Sequence, residues 1–354
     1  MTVRADGMSR PAQRGAALLM AMVIVTVVAT IASSMVWQQW RAVQVEAAER
    51  GREQLQWLLV GAVDFTSLIL NDDANRRQTD GSIEPTSLDQ NWSKELKETR
   101  ISAFLAVDKD NTDDAPDAFL SGRVSDVNGR YNLRNLLDPS TATTAVKVDP
   151  SQVKVLANLF RSLDKVPPTL AQEIADALEK ATLAAMNTTT SFAALGNSQA
   201  ARNSAPLMPQ KLDQLVWLVP SIDPPMLERM RPYIFLQPYD PGASASTKVN
   251  LNTASKEVIA AVWGIDVSAA DGIVRYRQKH AFSNPQNAEK IVAGVPLPPD
   301  AFDVYSEYFE VTGMLRLENQ VMKQRTLVRR MAGSRQSYVV IKSQESFSGI
   351  DPGN

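Results

Sequence analysis

From Gly15 to Trp40 the chain carries no charged residue, and Arg4, Arg10 and Arg14 stand just ahead of that run. A helix rises about 1.5 Å per residue, so a segment of this length crosses a hydrocarbon core about 30 Å thick. The basic flank holds the N-terminal side in the cytoplasm and sends the remainder across the membrane. Trp37 and Trp40 lie at the far end, where amphipathic rings favour the water interface. Beyond them Val43, Ala47, Leu55, Leu58, Leu59 and Ala62 fall on one helical stripe with charges elsewhere, which predicts that anchor and domain helix are continuous. A cleaved secretory signal and a plain single-span anchor are the competing interpretations; against the first, no small-x-small site ends the apolar run and the run is too long.

The 354 residues suffice for an anchor and about two folded domains. Lys and Arg number 37 against 39 Asp and Glu, so the whole-molecule field draws the protein neither to nucleic acid nor to acidic lipid. The absence of cysteine excludes disulfides, thiolate nucleophiles and Cys-ligated metals. His280 is the only histidine and lies in "RYRQKHAF", away from any nucleophile motif, so it is taken as a surface or packing residue.

Residues 71–92 form a polar loop, followed by strand-like "ISAFLAVDKD" and "AFLSGRVSDVNGRYNLRNLL", with Asn128-Gly129 signalling a hairpin. From Asp149 the pattern turns helical: Asp149 can cap, Pro150 suits a first turn, and a Pro-Pro break follows. Residues 187–206 are predicted to be a flexible connection. Two stretches beginning at Leu212 and Thr253 then share a helix-turn-helix pattern, a weak internal duplication. After Pro296, "DVYSEYFEVTGMLRLENQ", "VMKQRTLVRRM" and "QSYVVIKSQES" alternate as strands. Helices between early and late strands predict an α+β fold with an inserted all-helical domain. The expected divisions are 1–15 leader, 16–70 N-terminal helix with 16–40 in the membrane, 71–148 and 298–354 the two parts of a pilin-like domain, and 149–297 the insertion. SAM-like or helix-hairpin-helix-like halves are expected within that insertion.

Arg14-Gly15 ahead of the apolar run resembles the type III signal cut by prepilin peptidases, which implies cleavage between Gly15 and Ala16. Met1 and Met8 both remain possible starts. The fifth residue after Gly15 is Met20, where most pilins and pseudopilins carry Glu. A carboxylate in the bilayer costs several kcal/mol, roughly, unless paired. In those families it is thought to pair with the terminal ammonium of the preceding subunit, so Met20 suits a subunit with no predecessor.

Three further segments resemble the minor pseudopilin K family of type II secretion. A "D-x-x-G-x-x-N-L-N-x-L"-like segment is matched by Asp126, Gly129, Asn132, Leu133, Asn135 and Leu136, with Arg134 replacing the second asparagine of the N-L-N run. Pro206 to Leu215 approximates the family's "P-L-x-x-x-x-E-L" helix, with Asp213 near its usual acid, and "VNLNTASKEVIAAVWGI" follows at 249–265. The resemblance implies a non-enzymatic, single-pass inner-membrane protein with its bulk in the periplasm, forming the tip of the pseudopilus and initiating its assembly for export of folded proteins. It implies as partners the I and J minor pseudopilins, the major pseudopilin, the inner-membrane assembly platform and prepilin peptidase, with no nucleic acid.

The same 249–265 stretch also resembles the opening of a membrane-anchored helix-hairpin-helix DNA receptor of the competence type. That motif binds phosphate through a Gly-hydrophobic-Gly turn, but here the turn is Gly264-Ile265-Asp266, and the carboxylate would repel phosphate. Arg275, Arg277 and Lys279 follow on what is expected to be a solvated face, and Asn252 or Thr253 is expected to cap the helix. No cofactor is otherwise expected. Calcium is implied only through the resemblance to pseudopilins, and Asp108, Asp110 and Asp113 are the oxygen-rich candidates, in a loop that lacks the glycine and closing Glu of an EF-hand.

Overall fold

The computed structural model describes residues 14–77, 81–101, 118–138, 146–190, 206–239, 246–292, 294–317, 320–331 and 337–350. The chain divides into two units, Met1–Leu58 and Leu59–Asn354, and helix α1 (Arg14–Asn75) has residues in both. Among the described residues this is the one helix long and apolar enough to span a membrane. Its apolar window is unburied within the chain, as a lipid-facing surface must be. The hydroxyls of Thr26, Thr30 and Ser34 donate to the carbonyls of Val23, Val27 and Ile31 at 2.8–2.9 Å, so these polar groups are satisfied within the helix.

In the second unit, strands β1 (Leu96–Arg100), β2 (Ala118–Asp126), β7 (Tyr308–Leu317), β8 (Gln320–Met331) and β9 (Tyr338–Ile350) form an antiparallel sheet in the order β1-β2-β7-β8-β9. The final part of α1 lies on this sheet, with Val63 and Leu70 packed in one cluster with Trp92, Phe309, Val311 and Val328. Trp92 meets Phe309 edge-on, ring centroids 5.3 Å apart. Strands β2 and β7 are direct partners, Asp126 opposite Phe309, although the whole helical region separates them in the chain. The fold is therefore α+β, with helices inserted between two neighbouring strands.

That insertion contains α2 (Pro150–Arg161), α3 (Leu170–Thr190), α4 (Leu215–Leu218), α5 (Pro224–Met230), α6 (Lys256–Trp263) and α7 (Val267–Arg277). Two-residue parallel pairs stitch it together: β3 (Tyr131–Asn132) with β4 (Ile234–Phe235), and β5 (Val249–Asn250) with β6 (Phe302–Asp303). Asp149 caps α2, its carboxylate accepting from Ser151 N at 2.8 Å, with Pro150 in the first turn. The insertion has a core of its own, in which Leu156, Phe160, Leu170, Ile174, Val258 and Ile273 are fully buried.

Three expectations are corrected. The polar loop expected from residue 71 begins later, because α1 runs through Asn75. Asn128-Gly129 does not close a hairpin, because β3 leaves the sheet and pairs with β4 instead of folding back on β2. The expected connection does not begin at 187, since α3 runs through Thr190 despite the low helix propensity of Asn and Thr; 191–205 lie outside the described residues. Most of the expected strand 101–110, with Asp108, Asp110 and Asp113, also lies outside them.

Candidate functional site

Two places carry the chemistry. The first is the anchor. Arg14 and Gly15 fall in the first turn of α1 and Ala16 follows, exposed. Met20 is 71% exposed on the apolar helix.

The second is a buried polar joint where sheet and insertion meet. Asp126, the last residue of β2, is enclosed, and its Oδ2 accepts from Ser306 Oγ at 2.6 Å, Thr253 Oγ1 at 2.6 Å and Asn250 Nδ2 at 3.0 Å. Its Oδ1 accepts from the backbone N–H of Asn128 at 2.8 Å. Burial pushes the Asp126 carboxyl above its usual value, against the opposing pull of those four donors. Asn128 Oδ1 in turn accepts from Glu307 N and Tyr308 N at 3.1 and 2.8 Å, and its carbonyl accepts from Asn250 N at 2.9 Å. Arg330 on β8 closes the far side, donating to Thr86 Oγ1 at 2.9 Å and to Ser306 O at 2.8 Å. A Cβ on Gly129 would stand 2.7 Å from Thr253 Oγ1 and 3.0 Å from the Thr253 carbonyl carbon, so glycine is required where the two segments touch.

The other signature residues work the same way. Asn132 Nδ2 donates to Gln237 Oε1 at 3.0 Å, while Asn135 and Thr247 exchange two bonds at 2.9 and 3.0 Å. Arg134, the departure from the pattern, is buried. It donates to Gln237 O at 3.0 Å and Pro209 O at 2.9 Å, and burial lowers its pKa to about 10. Asp213 pairs with Arg231 and lies 3.7 Å from Arg325 on β8. The hydroxyls of Ser306 and Thr253 are both committed to Asp126, so the cluster works as a fastener.

The hairpin of α6 and α7 tests the DNA alternative directly. Gly264 takes a left-handed conformation, φ 73°, that ends α6. Asp266 caps α7, its Oδ1 accepting from both Ser268 N and Ser268 Oγ at 2.8 Å, and these bonds hold its carboxyl below the usual value. The chain's own carboxylate thus occupies the place a phosphate would take. The following basic residues form no patch: Arg275 pairs with Asp271 at 2.9 Å. Arg277, expected to be solvated, is buried and donates to Leu251 O at 2.6 Å. His280 is exposed, its ring 5.9 Å from Tyr276.

The expected cap is also corrected. Ser255 caps α6, accepting from Val258 N at 3.3 Å. Asn252 is instead bonded to both backbone groups of Phe282, and Thr253 is turned toward Asp126. Among the described residues no group of three or more His, Asp or Glu is placed to hold a metal.

A long apolar helix, an antiparallel sheet and a helical insertion fastened between adjacent strands of that sheet define an α+β protein with one candidate membrane span. A family model described as type II secretion system protein K matches residues 129–239, and one described as a helix-hairpin-helix motif matches 244–293. The type II secretion system protein K of Pseudomonas aeruginosa is 24% identical over 318 residues, covering 87% of this chain and 86% of its own. The crystal structure of the GspK-GspI-GspJ complex from the enterotoxigenic Escherichia coli type 2 secretion system contains a chain of similar fold. The TM-score is 0.56 at 16% identity, over 85% of this chain and 98% of that one. The chain is thus similar in sequence to type II secretion system protein K and similar in fold to a chain of that complex.

Proposed function

We propose that this protein is the tip subunit of a periplasmic pseudopilus, initiating its assembly in the inner membrane for the export of folded proteins. The observation that carries the tip assignment is Met20, an exposed apolar side chain where an unpaired carboxylate would cost a few kcal/mol, roughly, or become protonated. In this reading prepilin peptidase cuts between Gly15 and Ala16. The freed helix then packs beside those of I- and J-class minor pseudopilins, the kind of partners present in the complex of the structural neighbour. The inserted helical region caps the end, and the major pseudopilin and the inner-membrane platform extend the fibre from below. Calcium is retained as a proposal for Asp108, Asp110 and Asp113, testable by calcium titration of the protein by calorimetry.

Processing is checked by mass spectrometry of the membrane-bound protein. Gly15→Val should retain the leader, and a wild-type mature terminus other than Ala16 would remove this step. Assembly is checked by export of a native substrate from cells whose only copy carries Met20→Glu or Met20→Leu. The leucine variant should export normally and the glutamate variant no better than wild type. Improved export with Met20→Glu contradicts the tip assignment.

A further inference from the structure

Val311 and Val328 turn one face of the sheet toward α1. On the other face a cleft of about 820 Å³ opens beneath the insertion, roofed by Glu228, Arg231, Pro232 and Ser255. The strand register lays its floor in rows. Arg123 of β2 stands opposite Thr312 of β7, then come Arg325 of β8 and Glu345 of β9. The adjacent row on the same face reads Ser121, Met314, Lys323 and Phe347. With strands about 4.8 Å apart and same-face residues about 7 Å apart, Arg123, Arg325 and Lys323 gather within about 12 Å of one another.

These cations are poorly matched inside the chain. Arg123 and Lys323 are exposed and form no ion pair among the described residues. Arg325 lies 3.7–3.9 Å from Asp213, Glu310 and Glu345, too far to donate a hydrogen bond, so its donors stay open to an incoming acceptor. Those three carboxylates are themselves neutralised by Arg231, Arg130 and Lys211. Of the lining carboxylates, only that of Glu95, exposed at the β1 end, has neither an ion pair nor a hydrogen bond among the described residues. One free negative charge therefore stands against the two of Arg123 and Lys323.

We propose that the cleft binds an extended acidic segment of a protein partner, one that carries carboxylates and apolar side chains together. The carboxylates would meet Arg123, Arg325 and Lys323 in charge-assisted hydrogen bonds. The apolar side chains would meet Met314, 41% exposed, and Phe347, 51% exposed, which flank Lys323 in its row. A phosphate or a sugar-phosphate backbone has no use for those two. The rows cross four strands, about 14 Å, the length of an extended segment of about four residues, which a single free carboxylate would not fill. The cleft belongs to this chain alone, so the inference stands whether or not the protein occupies a fibre tip.

The test uses the full chain in nanodiscs of uncharged phosphatidylcholine and a rhodamine-labelled peptide of interspersed aspartate and leucine, read by fluorescence polarisation. Two control peptides replace every aspartate by asparagine or every leucine by alanine. The parent peptide should bind in the micromolar range and each control about tenfold more weakly, the value of one charge-assisted hydrogen bond or of roughly two buried methylenes. Arg123→Gln combined with Lys323→Gln alters only exposed side chains and should abolish the preference for aspartate over asparagine. Lys154→Gln, at an exposed position of α2 outside the cleft, should leave binding unchanged. No binding, a control peptide that binds as well as the parent, a preference that survives the double variant, or equal weakening by Lys154→Gln overturns the proposal. Displacement of the peptide by a single-stranded DNA oligonucleotide at comparable concentration overturns it too, because the cations would then serve phosphate.

Discussion

The helical insertion and the helix-on-sheet region bury apolar surface in different ways. The insertion encloses side chains such as Phe160, Leu170, Ile174 and Ile273 on every side. The helix-on-sheet region gathers a smaller cluster around Phe309 and Leu70, and leaves beside it a groove lined in part by Gln324, whose amide oxygen is buried with no partner. The contrast follows from their surroundings. A helix that packs on one face of a sheet has a second face that the sheet does not cover. The insertion closes on itself. The polar joint at Asp126 fastens one region to the other, so a load taken by the insertion reaches the sheet through hydrogen bonds rather than through a flexible link.

The largest effect should come from truncating the same residue type in the two cores. Phe160→Ala and Phe309→Ala both remove a fully buried ring, a change that costs about 3–5 kcal/mol. Phe160→Ala should fall at the upper end, because its closed surroundings cannot relax, and Phe309→Ala at the lower end, because the helix can settle toward the groove. Denaturant unfolding measures both; a larger loss at Phe309 would break the comparison.

Next in size is the joint. Asp126→Asn keeps the shape but replaces an acceptor by a donor facing Thr253, Ser306 and Asn250, and should cost about 1–3 kcal/mol. It also has a pH signature. Because the folded-state carboxyl is raised above its usual 3.8, its contribution to stability is fully present below that value and is lost as pH rises through the folded value. Wild type should therefore gain stability relative to Asp126→Asn as the pH is lowered toward 3.8. Parallel pH profiles for the two proteins would show that the carboxyl is not raised.

Smaller still is Gln324→Met. It removes the free amide oxygen together with the bond to Thr326, and stability should stay within about 1 kcal/mol of wild type. A loss of several kcal/mol would mean that the amide holds the sheet together. The smallest expected effect is at the hairpin: even Asp266→Gly should give no salt-sensitive duplex DNA binding, since Arg277 is buried and Arg275 is paired. Micromolar binding that weakens steeply with salt would restore the receptor reading.

The sequence disclosed what local chemistry controls. The alternation in 308–350 announced β7, β8 and β9, Asp149-Pro150 announced the start of α2, and the uncharged run announced the anchor. It concealed whatever depends on distant partners. Asp126 meets Asn250 across 124 positions and Ser306 across 180, and no periodicity marks such a pairing. Strands β3 to β6 are two residues long, below the length at which alternation can register. Asn252 and Thr253 looked like caps because their residue types favour that role, yet a buried backbone pair at Phe282 and a buried carboxylate claimed them first. The signature was visible as a pattern, but its work as hydrogen-bonded ties, from Asp126 of the sheet to the insertion and from Asn132 and Asn135 within the insertion, required the fold.

The most direct test of the assembly account is the position of this chain in the fibre. Pseudopili raised in cells by overproducing the major pseudopilin can be labelled with gold through an epitope on the helical insertion and viewed by electron microscopy. The account predicts label at one end of each fibre only. Label distributed along the fibre length would contradict it.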